Sequence, residues 1–150
     1  MSYRNLLLEP LLLRLVAAGC KRDDDPDLTD PVPVILDVTV NTETVVEYQD
    51  SIVFIVEYRD GDGDLGENEP NVANLFLVDN RIDVTEDFRI RELAPEGAVI
   101  PVTGTLRVVL RSTGITDNSS SQTVNYTIFV RDRAGNESNR FTTPDITVTR

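Results

Sequence analysis

The sequence predicts an all-β protein whose folded part, residues 34–150, is an antiparallel β-sandwich of about seven strands. From residue 34 onward, short runs rich in Val, Ile and Thr alternate apolar with polar residues, which is the period of a β-strand. Clusters of Asp, Asn, Gly and Pro, which favour turns, separate these runs. No stretch in this region carries the 3.6-residue period of an amphipathic helix.

The first four strands are predicted from short apolar runs. Residues 34–40 are rich in Val and Ile, and residues 51–58 place alternate apolar side chains on one parity. Residues 73–78 form a third run, and residues 88–93 a fourth after a turn at Asp79–Asn80.

Three later runs alternate more regularly. Residues 105–111 place Leu and Val on one face and Arg on the other. Residues 123–131 place Val, Tyr and Ile inward, and residues 141–149 place Ile146 and Val148 inward. Tyr58 and Tyr126 share parity with apolar neighbours and are also predicted to be core residues. The predicted core consists of Ile52, Phe54, Val56, Leu106, Val108, Leu110, Ile128, Val130, Ile146 and Val148.

The strand pattern resembles immunoglobulin-like modules of bacterial surface proteins. Tyr126 lies early in the sixth predicted strand, where immunoglobulin domains have a tyrosine corner. The turn at residues 132–136 is similar to the turn before the last strand of many bacterial immunoglobulin-like repeats. The resemblance implies an immunoglobulin-like sandwich, although without the disulfide and core Trp of antibody domains.

Composition excludes several classes of function. The 150 residues allow one domain, and 40% hydrophobic with 27% charged residues predicts a folded one. A net charge of −12 argues against nucleic acid, which is bound by basic surfaces. The absence of His excludes a His-based triad or zinc site, and the single cysteine, Cys20, excludes an intrachain disulfide.

Residues 1–19 have the features of a signal peptide. Arg4 gives a positive start, leucine-rich sequence follows, and small residues at 17–19 lead to Cys20. This pattern resembles the lipobox of bacterial lipoproteins, which implies that Cys20 carries a covalent lipid and anchors the mature protein in a membrane. The alternative is a short amphipathic helix with an ordinary buried Cys.

Residues 20–33 are predicted to be a flexible acidic tether. The run at 21–27 resembles the export signal of Bacteroidetes surface lipoproteins, which implies the outer membrane and exposure at the cell surface. The alternative is a solvated spacer, since charge runs commonly have that role. Fully extended, the tether spans at most ~45 Å, at about 3.3 Å per residue.

The most distinctive motif is Asp60-Gly61-Asp62-Gly63-Asp64, directly after a predicted strand. Ca²⁺ takes oxygen ligands from a backbone that turns sharply, and alternating Asp and Gly supply both. Leu65 occupies the position of the invariant EF-hand glycine, and flanking strands also exclude an EF-hand. The alternative is a solvated acidic turn.

A second acidic turn is predicted to meet the first. Asp60 and Asp132 continue the inward parity of their strands, and loops after the second and sixth strands of such a sandwich emerge at one end. The predicted Ca²⁺ ligands are Asp60, Asp62, Asp64, Asp132 and Asn136. The ion is expected near the tether, where the chain enters the first strand.

These features predict a non-enzymatic surface lipoprotein, a binding or adhesion module with a surface protein or a glycan as its partner. The alternative is an accessory scaffold of a glycan-uptake complex. Acidic pairs such as Asp60 with Asp132, or Glu67 with Glu69, are the residue type used in glycoside hydrolysis. Without a cleft signal or nucleophile motif, they do not favour an enzyme.

Overall fold

The structure is a computed structural model that describes residues 29–95 and 97–150. Within these ranges the chain forms ten β-strands and no helix, so the predicted all-β class is confirmed. The strands are β1 (Val34–Val40), β2 (Thr44–Val46), β3 (Ile52–Asp60), β4 (Leu75–Asp79), β5 (Val84–Phe88), β6 (Val102–Leu110), β7 (Ser121–Val124), β8 (Tyr126–Val130), β9 (Phe141–Thr142) and β10 (Ile146–Thr149). The predicted signal peptide, Cys20 and the tether as far as residue 28 lie outside the described residues.

The predicted strand at 88–93 is wrong. The observed strand, β5, ends at Phe88, and the chain beyond it is irregular and has no strand pairing. Here Ile90 is held by a side chain instead of a ladder: its N–H donates to Oδ1 of Asn74 at 2.6 Å, and its carbonyl accepts from Nδ2 at 3.1 Å.

The count of about seven strands is exceeded because two predicted strands are interrupted. The run at 123–131 divides into β7 and β8 at Asn125, and the run at 141–149 divides into β9 and β10 around Pro144. Proline has no N–H to donate to a ladder, so it ends the pairing there. The three-residue β2 has no counterpart among the predictions.

The strands form three sheets. One has the order β1-β3-β6, the second β5-β4-β8-β9 and the third β2-β10-β7. Every pairing is antiparallel except that of β10 with β2. The stretch 121–130 supplies β7 to the third sheet and β8 to the second. The stretch 141–149 likewise supplies β9 to the second sheet and β10 to the third, so the third sheet continues the second.

A single apolar core joins the sheets. Phe54 of β3 meets Tyr126 of β8 edge to face, with ring centroids 5.5 Å apart. The predicted core residues are buried except Leu106, which is half-buried against the core, and Tyr58 and Tyr126 are buried as predicted. Residues from opposing sheets in one core are compatible with the predicted β-sandwich.

The chain enters β1 at the end of the sandwich where β3 finishes. Val34 pairs with Arg59, and the N–H of Gly61 donates to the carbonyl of Asp30 at 3.0 Å. The segment that precedes β1 therefore contacts the first acidic loop, as predicted.

Candidate metal centre

The first acidic loop, residues 61–66, turns sharply after β3. Gly63 and Gly66 have φ of 76° and 96°, which side-chain-bearing residues rarely adopt. A Cβ at Gly61 would collide with the carbonyl of Asp30, and one at Gly63 with the carbonyl of Ile100. The glycines therefore let neighbouring backbone close tightly around the loop.

Asp60, the last residue of β3, converges with Asp62 and Asp64 of the loop. One carboxylate oxygen from each of Asp60, Asp62 and Asp64 lies within 4.8 Å of the other two. Asp60 is fully buried, with 0% exposure, and the other two are half-buried. This arrangement concentrates negative charge in a site with little solvent to screen it.

Two oxygens of this cluster have no hydrogen-bond partner. Oδ2 of Asp60 accepts from the N–H of Leu65 at 2.7 Å, and Oδ2 of Asp64 accepts from the N–H of Ala134 at 3.1 Å. Oδ1 of Asp60 and Oδ1 of Asp64 are buried with no partner among the described residues. An unsatisfied buried acceptor is costly, especially a charged one, so these oxygens are available to a ligand.

The second acidic turn packs against the first, as predicted. Besides the Ala134 bond, the N–H of Arg133 donates to the carbonyl of Asp64 at 3.4 Å. Asp132 is 6% exposed, in agreement with its predicted inward direction.

Asp132 and Asn136 lie beside the three-carboxylate cluster and are not members of it. Oδ1 of Asp132 accepts from the backbone N–H of Asn136 at 2.7 Å, and Oδ2 accepts from its Nδ2 at 2.8 Å. The structure thus places the two predicted ligands against each other at the rim of the site. Their coordination of a metal stays a prediction.

Burial and mutual repulsion perturb the acids of the site. Burial raises the pKa of Asp60 to about 6, and the charges of Asp62 and Asp64 add to the effect. Burial also raises the pKa of Asp64, with further contributions from the charges of Asp132 and Asp62. Each carboxylate thus opposes the ionisation of its neighbours unless a cation lies among them.

We expect the metal-free protein to be more stable near pH 5 than near pH 7.5. The pKa of Asp60 is about 6 in the folded protein, above the ~3.9 of an unfolded chain. Its neutral form therefore stabilises the fold at low pH, and that stability is lost as pH rises through about 6. Thermal melts in chelator at the two pH values measure the difference, and Asp60→Asn should reduce it. Equal melting temperatures would contradict the assigned pKa.

The sequence did not predict the interactions that hold the first acidic loop against neighbouring segments. Nη1 of Arg133 lies 3.3 Å from Oε1 of Glu92 and donates to the carbonyl of Gly66 at 3.4 Å. Glu92 lies in the irregular segment before β6, so no periodicity pointed to it.

Comparison with protein-family models, curated proteins and solved structures gives no match for the chain. Across residues 29–95 and 97–150, no helix is long and apolar enough to cross a membrane. The evidence on function therefore comes from the sheet arrangement and from the cluster of Asp60, Asp62 and Asp64.

Proposed function

We propose that this protein is a non-enzymatic, immunoglobulin-like binding or adhesion module of a lipid-anchored cell-surface protein, stabilised by Ca²⁺ bound after β3. The observation that carries the calcium proposal is the pair of buried, unpartnered oxygens on Asp60 and Asp64. A bound cation would give both oxygens a partner and neutralise the charges that raise their pKa values.

The spacing of the cluster suits Ca²⁺. Ligand oxygens lie 2.3–2.6 Å from Ca²⁺, so two oxygens on one ion are at most about 5 Å apart. One carboxylate oxygen from each of Asp60, Asp62 and Asp64 lies within 4.8 Å of the other two, inside that limit. Asp132 and Asn136 from the adjoining turn, with backbone carbonyls and water, would complete the six to eight ligands that Ca²⁺ prefers.

The ion would tie together three parts of the chain. The loop after β3 already contacts Asp30 on one side and the turn at Arg133–Ala134 on the other. A cation among its carboxylates would fix these contacts at the end where the chain emerges from the tether. We propose that calcium stiffens the anchored end of the module.

The sheet orders favour an immunoglobulin-like topology. In that scheme β1-β3-β6 corresponds to strands A, B and E, and β5-β4-β8-β9 to C′, C, F and G. The pairing of β2 with β10 extends the second sheet by a part of strand A that has changed sheets. The acidic loops are then the B–C and F–G loops, which in variable domains share one end.

The aromatic residues favour a protein partner over direct glycan binding. Tyr58 and Tyr126 are 6% and 2% exposed, so neither offers a ring to a sugar. Tyr48, at 71% exposure, is the one strongly exposed tyrosine among the described residues. Glycan-binding surfaces normally have exposed aromatic rings that stack on sugars. A role as an accessory scaffold of a glycan-uptake complex would therefore depend on contacts with other proteins.

Calcium should raise the melting temperature by several degrees relative to chelator at matched ionic strength. A tenfold excess over the dissociation constant adds RT ln 11, about 1.4 kcal/mol. Such a change shifts the melting temperature of a small domain by about 4–8 °C per kcal/mol. Asp62→Asn should remove most of this difference.

The matched control for that melt is Asp87→Asn, which removes an exposed carboxylate on β5 outside the site. It should leave the calcium shift intact. A shift that is absent in the wild type, or equal in Asp62→Asn, would leave the loop as a solvated turn.

Lipidation should depend on Cys20, the only cysteine in the chain. Cells fed a fatty-acid analogue should label the wild-type protein and leave Cys20→Ser unlabelled, because the thiol is the acceptor. Protease treatment of intact cells should release the module if it lies at the surface. Equal labelling of both proteins rules out the lipid anchor, and protection until the outer membrane is broken rules out surface exposure.

A further inference from the structure

One long edge of the sandwich is open. In the sheet β1-β3-β6, the nine-residue strand β6 has a neighbour on one side only. Among the described residues, no backbone hydrogen bond outside its ladder with β3 involves residues 102–110. About half of the backbone groups of an antiparallel edge strand point away from its partner, so β6 presents a row of free donors and acceptors.

A groove of about 260 Å³ runs beside this edge. Its lining includes Leu106 and Val108 of β6, Leu75 of the opposite sheet and Leu93 of the connection between β5 and β6. Arg107 and Val109, on the other face of β6, also line it, so the groove wraps around the strand edge. It therefore opens into the gap between the sheets, beside the free backbone of β6.

The groove is positively charged, in contrast with the protein as a whole. Its lining contains Arg89, Arg91 and Arg107 and no Asp or Glu, whereas the chain carries a net charge of −12. Arg89 donates to the carbonyl of Asn68. Arg91 and Arg107 are exposed and make no ion pair or side-chain hydrogen bond with any described residue. Their charges are available to a ligand.

We infer that this groove binds an extended acidic segment of a partner protein, which adds to β6 as a strand. The backbone of the segment pairs with the open edge, as in other strand-addition complexes. Because side chains alternate between the faces of a strand, apolar residues enter between Leu75 and Val108 while acidic residues meet Arg91 and Arg107. The inference names a partner for the proposed binding role and is independent of the calcium site.

Two other occupants fit less well. A second copy of the chain would place Arg107 opposite another β6 edge and bring together two molecules of charge −12, which repel each other. The acidic run at residues 21–27 of the same chain contains Asp and Pro, which are poor strand formers. An external segment that alternates apolar and acidic residues satisfies the edge, the groove and the charges together.

The test is selection of a random-peptide display library on the full-length protein in calcium buffer. We expect enriched peptides to alternate apolar and acidic residues, and a synthetic copy to protect amides of residues 102–110 from hydrogen exchange. Replacing its acidic residues with Lys should weaken binding at least tenfold, and so should Arg91→Glu combined with Arg107→Glu in the protein.

The control is Arg111→Glu, compared with Arg107→Glu alone, because it makes the same single charge change just beyond β6 and outside the groove lining. It should bind the peptide as the wild type does, and thermal melts should show that all variants fold. The inference would be overturned by selected peptides that are not enriched in acidic residues, or by an equal loss of binding in Arg111→Glu. Hydrogen-exchange protection away from β6, or a dimer formed through β6, would also overturn it. None of these outcomes bears on calcium binding, which is measured separately.

Discussion

Phe54→Ala should lower the free energy of unfolding by about 3–5 kcal/mol, as truncation of a buried Phe in a well-packed core usually does. Phe54 is 0% exposed and is the third residue of β3, and its ring centroid lies 5.5 Å from that of Tyr126. Its removal would leave a cavity between the sheets and forfeit that aromatic contact. Because a domain of this size is stable by only about 5–15 kcal/mol, the variant should lose a large share of its stability.

Denaturant titration of Phe54→Ala measures this loss. Val99→Ala is the control, because Val99 is 79% exposed and its truncation should change the free energy of unfolding by less than about 0.5 kcal/mol. Comparable effects of the two substitutions would contradict a core centred on Phe54.

Arg81→Met should have an effect of similar size, about 3–5 kcal/mol, at the end of the sandwich opposite the acidic loops. Nε and Nη2 of Arg81 donate to the two carboxylate oxygens of Asp79, at 3.0 and 2.6 Å. Its remaining N–H groups donate to Gly114, Gln122 and Thr113. The side chains of Arg81 and Asp79 are only 10% and 12% exposed, so removing Arg81 leaves a buried carboxylate without its partner.

A double variant separates the ion pair from packing. Arg81→Met combined with Asp79→Leu should recover part of the lost stability, because no charge then remains buried. Arg150→Met is the control: its ion pair with Glu47 is long, at 3.6 Å, and 57% of the Arg150 side chain is exposed. Such surface pairs contribute about 0–1 kcal/mol. A loss in Arg81→Met no larger than that of Arg150→Met would contradict the buried network.

Alternation along single strands made much of the fold predictable. β1 was predicted with its observed bounds, and the inward faces of β3, β6 and β8 follow the parity of their apolar residues. Parity also predicted that Asp60 and Asp132 point inward, and the order of strands in a sandwich predicted that the two acidic turns meet at one end.

Features that depend on distant partners were not predictable. β5 is an exposed, polar edge strand, so its own residues carry no apolar pattern. The Arg81 network and the contact between Arg133 and Glu92 join segments remote in sequence, which no local spacing indicates. The open edge of β6 was not predicted either, because which strands pair depends on the whole sheet and not on the pattern within β6.

The two unpartnered oxygens, Oδ1 of Asp60 and Oδ1 of Asp64, also could not be predicted from the sequence. The spacing of Asp60 and Asp64 predicted that they face a common site, but hydrogen-bond satisfaction depends on the surrounding backbone. The N–H of Leu65 satisfies Oδ2 of Asp60, and the N–H of Ala134 satisfies Oδ2 of Asp64. Oδ1 of each carboxylate is left without a partner among the described residues. The structure therefore adds a reason for a cation that the motif alone did not contain.

Equilibrium dialysis of the protein against radioactive calcium tests the calcium site most directly. We expect saturable binding of one ion per chain, with a dissociation constant of about 10⁻⁴–10⁻³ M, which is usual for extracellular calcium modules. Asp62→Asn should weaken it at least tenfold, while Asp87→Asn should bind as the wild type does. Calcium uptake that fails to saturate, or that is the same in the wild type and Asp62→Asn, would contradict a calcium site at Asp60, Asp62 and Asp64.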